Sequence, residues 1–201
     1  MTPRELEMIE QAKPLFAKYD QDAIISRLNL EHNENSIYIC ILSEKYTLNR
    51  NTYDVIDSDG NLASCSAHLC IYDAICRYDT PPIPTNKFFP VNSLGNMVHP
   101  GVEQERLLSQ YAKCFEDNLD KLEKYLKSIG GIAYPVGDIA YTINLFDFLK
   151  VCIQLWRSDE EYPPTLQVLW EETTLHHLKY EVVWYACGFM LDKIKQVITE
   201  K

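Results

Sequence analysis

The spacing of apolar residues changes repeatedly along this chain, and each change marks a new element. Leu6, Ile9, Leu15 and Phe16 trace a partial helical face over residues 4–19, where Pro14 predicts a kink or break. Residues 23–30, 36–42 and 44–48 are rich in Ile, Leu and Tyr and read as strands. The turn cluster His32-Asn33-Glu34-Asn35 separates the first two, so a meander is expected. A further short strand at 53–56 closes on Asp57-Ser58-Asp59-Gly60. From 61 to 78 the period lengthens. Leu62, Cys65, Leu69, Tyr72 and Cys76 recur every three or four residues, as on one face of a helix.

Residues 79–101 break the pattern and hold five of the ten prolines. A connection of that length is uncommon in a compact domain, and Phe88 and Phe89 predict an ordered loop pinned to the body. Two helices follow at 102–115 and 117–128, the second stopped by Gly130-Gly131. Residues 131–135, 138–145, 149–156 and 165–170 read as strands. The run from Val151 to Trp156 is almost continuously apolar, as in a central strand covered on both faces. A last helix spans about 180–200, with Thr173 or Thr174 as its expected cap and Val182, Val183, Ala186, Phe189, Met190 and Ile194 facing inward. Strands in runs, rather than in strict alternation with helices, predict α+β. The expected architecture is a single domain with a mixed, largely antiparallel sheet flanked by helices. A subdivision into 1–80 and 101–201, joined by the Pro-rich segment, is the alternative.

Composition narrows the partners. With 201 residues, 46% of them hydrophobic, the chain can bury roughly 70% of its unfolded surface without disulfides or metal. A formal charge of −10 argues against nucleic acid and against an anionic membrane surface. The start Met1-Thr2-Pro3-Arg4-Glu5 has no apolar signal region, and no stretch approaches the length of a transmembrane span, so a cytoplasmic location is expected. Seven scattered cysteines then read as reduced thiols.

Candidate chemistry centres on Asp159-Glu160-Glu161, a triple-acid corner ending in Tyr162-Pro163-Pro164. Three adjacent carboxylates must be solvated or paired, because burying each alone costs several kcal/mol. With Asp138 and His176-His177 nearby they would form a set suited to divalent metal or acid–base work. Consecutive carboxylates on one loop diverge, however, which favours a solvated hairpin tip, and the adjacent histidines lack a metal-binding spacing. Cys65 and His68 are a faint thiolate–imidazole pair with no oxyanion motif beside it. Cys65, Cys70 and Cys76 read better as small buried hydrophobes. Trp156, Trp170 and Trp184, with Tyr141 and Tyr162, line a pocket or close the core. No phosphate-cradling glycine motif and no nucleophile elbow is present.

Several of these segments together resemble a known family. Gly137-Asp138-Ile139-Ala140-Tyr141, Val151-Cys152-Ile153-Gln154-Leu155-Trp156, Asp159-Glu160-Glu161-Tyr162-Pro163-Pro164 and His176-His177-Leu178 resemble the "domain of unknown function 3786" of anaerobic bacteria and archaea. Gly130-Gly131 fits as well, and Tyr46-Thr47-Leu48 with the helix from Asn61 is a weaker upstream match. The resemblance carries no catalytic residues over. Fusion of some members to iron–sulfur domains implies a redox or corrinoid-linked setting.

Two functions compete on these grounds. One is a non-catalytic small-ligand-binding or accessory protein. Its site would lie where the Pro-rich segment meets the ends of the C-terminal strands, with Phe88, Phe89, Trp156, Asp159, Glu160, Glu161, Trp170 and His177 as candidate residues. The other is a metal-assisted hydrolase or acid–base enzyme using Asp159, Glu160, Glu161 and His177. The identity of any cofactor stays open. A homodimer through Tyr180, Trp184 and Tyr185 on the last helix is a further expectation.

Overall fold

Asp20 produces the first departure from the expected order of elements. In the computed structural model, which describes residues 1–77, 83–94 and 102–200, its carboxylate accepts the backbone N–H groups of Asp22 and Ala23 at 3.0 and 3.1 Å. Asn29 closes the same segment in the left-handed region, at φ 50°. Capped at both ends, residues 23–30 fold not as the expected strand but as helix α2 (Gln21–Leu28), which buries Ile24 and Ile25. Helix α1 (Pro3–Phe16) precedes it, opened by a Thr2–Glu5 capping box. Pro14 lies inside its last turn, and the helix stops two residues later.

The chain separates into two compact units. The first comprises Met1–Ile83, Phe146–Phe148 and Leu175–Ala186; the second comprises Pro84–Leu145, Leu149–Thr174 and Cys187–Lys201. In the first unit the expected meander loses its first strand to α2 and runs instead through β1 (Ser36–Ile41), β2 (Glu44–Asn49) and β3 (Val55–Ile56). Strand β1 alternates as its sequence does, with Ile37, Ile39 and Ile41 buried. Phe146 pairs with Ile41 on the other side of β1. Helix α3 (Cys65–Cys76) packs against α1 and α2, and Phe16 stacks on Tyr72 with ring centroids 5.0 Å apart.

The second unit holds β4 (Phe88–Pro90), a 3-10 turn at Val91–Ser93, α4 (Val102–Glu116), α5 (Leu119–Ser128), β5 (Ile132–Ala133), β6 (Ile139–Phe146, its last residue belonging to the first unit), β7 (Leu149–Trp156) and β8 (Thr165–Glu171). The order in this unit is β6-β7-β8-β4, with β5 on β6. Strand β7 is buried at six of its eight positions, the central strand its apolar run predicts. Every register among the described residues is antiparallel. The fold is α+β, an antiparallel sheet flanked by helices. Of residues 79–101, those at 79–82 and 95–101 lie outside the described residues, whereas Phe88 and Phe89 belong to a strand instead of a loop.

Glu171 holds that strand in place. It is 1% exposed, and its Oε1 accepts the backbone N–H groups of Thr85 at 2.8 Å and Asn86 at 2.7 Å. The contact delivers the chain to β4, which then pairs Phe88 with Glu171, Phe89 with Trp170 and Pro90 with Leu169. Replacing Glu171 by Ala should cost about 2 kcal/mol in urea unfolding, because two donors lose their acceptor. Glu171→Gln, which retains an oxygen at the same position, should cost clearly less.

The last helix, α7 (Tyr180–Thr199), follows a short helix α6 (Thr174–His177) that begins at the threonine expected to cap the longer one. The cap comes instead from α3. Asp73, buried to 9% exposure, accepts the N–H of Lys179 at 2.5 Å and meets the Lys179 Nζ at 3.4 Å. His68 on the same helix is fully buried. Its Nε2 accepts the N–H of Val55 at 3.0 Å, and its Nδ1 lies 3.0 Å from the carbonyl of Ser64, so the ring is neutral with the proton on Nδ1. Burial holds its pKa below the ordinary 6.5. Burial, and then the neighbouring His176, push His177 down to about 3.

Folding lowers the proton affinity of both histidines, so the stability they contribute is complete above about pH 6.5 and declines as pH falls below it. For His177, held at about 3, the loss between pH 6.5 and 5 should approach about 1.4 kcal/mol per pH unit. Urea midpoints taken across pH 7 to 5 check this, and His177→Leu should make the slope shallower.

Candidate functional site

Between β7 and β8 the chain reverses through residues 157–164, and backbone amides there converge on three carboxylates. The Asp138 Oδ2 accepts the N–H of Arg157 at 2.7 Å. Gly137 makes this possible: at φ +87° its backbone turns so that the Asp138 N–H reaches the carbonyl of Leu155 at 3.0 Å. Glu116, the last residue of α4, accepts both the N–H and the hydroxyl of Ser158 at 2.7 Å, with Lys113 3.1 Å away. Those donors, the Ser158 hydroxyl foremost, hold its carboxyl at about 2. The Asp159 Oδ1 accepts the N–H groups of Glu161 and Tyr162 at 2.9 and 2.7 Å, and its own N–H reaches the Tyr162 carbonyl at 3.0 Å. The first acid of the triple corner therefore closes its own turn, while Glu160 and Glu161 are exposed.

Two clefts flank this reversal. One, of about 490 Å³, is lined by Asp138, Trp156, Arg157, Ser158, Asp159, Tyr162, Pro163 and Thr165. The other is a groove of about 420 Å³ along β8, lined by Pro163, Pro164 and residues 165–169 on one side and by Pro90, Asn92, Leu108 and Ser109 on the other. Its lining residues are seven Pro, Leu or Val and four neutral polar ones. The two clefts share Pro163 and Thr165.

The candidate residues named from sequence are dispersed over this framework. Trp156 lies in the first cleft with Asp159. Trp170 is 1% exposed and belongs to the core, and it is not among the residues that line these two clefts. Phe88 is half-buried with its ring 6.0 Å from that of Tyr134, and Phe89 is 38% exposed on the edge strand. His177 is buried in the first unit with its ring 5.4 Å from Phe148. Among the described residues, no three His, Cys, Asp or Glu side chains are grouped to hold a metal ion. His68 uses both ring nitrogens on backbone groups, which leaves Cys65 without an imidazole partner there. Burial raises the Cys65 thiol and pushes Cys76 up to about 12, the behaviour of packed thiols. Tyr141 is buried, with its hydroxyl on Glu123 at 2.7 Å, and Tyr180 pairs with Trp184 at 5.9 Å.

Sequence reasoning missed Glu116, Leu108 and Ser109. They carry no motif, and only the packing of α4 on β8 brings them to the site.

Residues 20–193 match the family described as Domain of unknown function (DUF3786). The chain belongs to that family. No curated protein and no solved structure matches it. The DUF3786 match includes every segment that carries the resemblance, from Gly130-Gly131 to His176-His177-Leu178.

In this DUF3786 domain, Glu116→Ala should free the Ser158 amide, read as faster hydrogen exchange at Ser158 with little change in β7. Because the Glu116 carboxyl is held at about 2, the wild-type Ser158 amide should keep its protection as pH falls through 4.

Proposed function

We propose that this DUF3786 domain is a non-catalytic binding or accessory protein that holds a small, largely apolar ligand in the groove along β8. One observation carries the reading: a recess of about 420 Å³ whose wall is apolar, with neutral polar groups at Asn92, Ser109, Thr165 and Gln167 and no charged side chain. Ligand sites of this size are typically apolar with a few polar groups that set orientation. An accessory role in an anaerobic redox or corrinoid-linked setting belongs to the same proposal, by way of the family. The hydrolase alternative lacks an assembled set among the described residues. The Asp159 carboxylate folds its own turn through Oδ1, Glu160 and Glu161 are exposed, and His177 is buried beside Phe148.

The groove reading is tested by thermal unfolding with a panel of neutral aromatic and aliphatic compounds. Ser109 is exposed and lines the groove, so Ser109→Trp should block it without disturbing the core. Compounds that raise Tm in the wild type should fail to do so in Ser109→Trp. A panel with no stabilising member would count against the groove as a ligand site.

A further inference from the structure

The groove and the neighbouring cleft are contiguous, and their walls differ in chemistry. Pro163 and Thr165 line both. On one side the surface is apolar and neutral. On the other, Asp138 and Asp159 carry two carboxylates against the single guanidinium of Arg157, and Trp156 and Tyr162 supply aromatic surface. Glu160 and Glu161 stand beside them on the exposed turn, so the field around the cleft is negative.

In each carboxylate one oxygen is tied to the backbone: Oδ2 of Asp138 takes Arg157 N–H, and Oδ1 of Asp159 takes Glu161 and Tyr162 N–H. A carboxylate has two oxygens, and the amide bonds fix each group in place while the second oxygen remains available for a donor. Fixed carboxylates next to aromatic faces are the surroundings that favour an organic ammonium, through charge and through cation–π attraction. The apolar groove takes the uncharged remainder of the same molecule. Along β8 the groove runs from Thr165 to Leu169, about 13 Å of strand, room for a body several carbons long.

We propose that the ligand of this domain is an amphipathic cation, an organic ammonium on an apolar body, with the body in the groove along β8 and the charged end in the cleft of Asp138, Asp159, Trp156 and Tyr162. This rests on the groove reading above and adds the charge of the ligand. A carboxylate or phosphate on the same body is disfavoured by the same two acids.

Three probes with one body separate the two claims: 4-phenylbutylamine, 4-phenylbutanol and 4-phenylbutyrate, titrated calorimetrically at pH 7 and low salt. The amine should bind about fivefold more tightly than the alcohol, the scale of one partly exposed ion pair, and the carboxylate most weakly. Added salt should erase the amine's advantage and leave the alcohol unchanged. Asp159→Asn keeps an oxygen for the Glu161 and Tyr162 amides while removing the charge, and it should bring the amine down to the alcohol. Unchanged alcohol affinity in that variant reports that the groove is intact. Equal binding of amine and alcohol by the wild type would overturn the cation inference and leave the groove standing. Binding of none of the three would overturn both. Tighter binding of a short apolar peptide bearing one lysine than of the amine would replace the small ligand with a protein segment.

Discussion

A buried or half-buried backbone N–H must find an acceptor, and in this protein carboxylates repeatedly provide it. Glu171 takes the amides of Thr85 and Asn86, Asp73 takes that of Lys179, and Glu116, Asp138 and Asp159 together take those of four residues in the reversal after β7. Each such bond joins a carboxylate to a main-chain donor, which is stronger than a neutral pair; for the part-buried amides of Thr85, Asn86 and Lys179 losing the acceptor would be costly, whereas the amides of the reversal are exposed. The elements around the groove depend on these bonds. Glu171 brings β4 to β8, and Glu116 fastens the end of α4 to the corner. The groove lies between the elements thus fixed.

The same fact changes the meaning of the acidic corner. Three consecutive acids suggest either a solvated tip or a constellation gathered around a cation. The protein uses them unequally. Asp159 folds the turn, and Glu160 and Glu161 face outward and contribute charge without converging. A carboxylate pinned by two amides is a fixed charge and not a mobile group. That distinction separates a binding surface from a catalytic one, and it is why the reading of this domain rests on recognition rather than turnover.

The histidines illustrate a related rule. His68 and His177 are buried and neutral, one bridging Val55 and Ser64, the other packed beside Phe148. Imidazole serves there as a shaped, neutral ring packed into the interior. Its titration appears in stability, since only the unfolded chain accepts the proton near neutral pH.

Much of the fold was legible because it is written in local periodicity. The alternation of Ile37, Ile39 and Ile41, the apolar run of β7, the helical spacing from Cys65 to Cys76 and the stop at Gly130-Gly131 each follow from burial of one face or from a backbone requirement within a few residues. Family membership was legible in the same way, from contiguous segments. Residues 23–30 misled because a run of Ile and Leu fits strand or helix equally, and the caps Asp20 and Asn29 decide between them. What only the tertiary structure decided was which distant groups meet. Asp73 caps a helix 106 residues away, and Glu116 reaches Ser158 across 42. Leu108 and Ser109 face β8 residues more than fifty positions later. Such contacts leave no period in the sequence, because a hydrogen bond or a groove wall depends on where packing carries an atom and not on its neighbours along the chain.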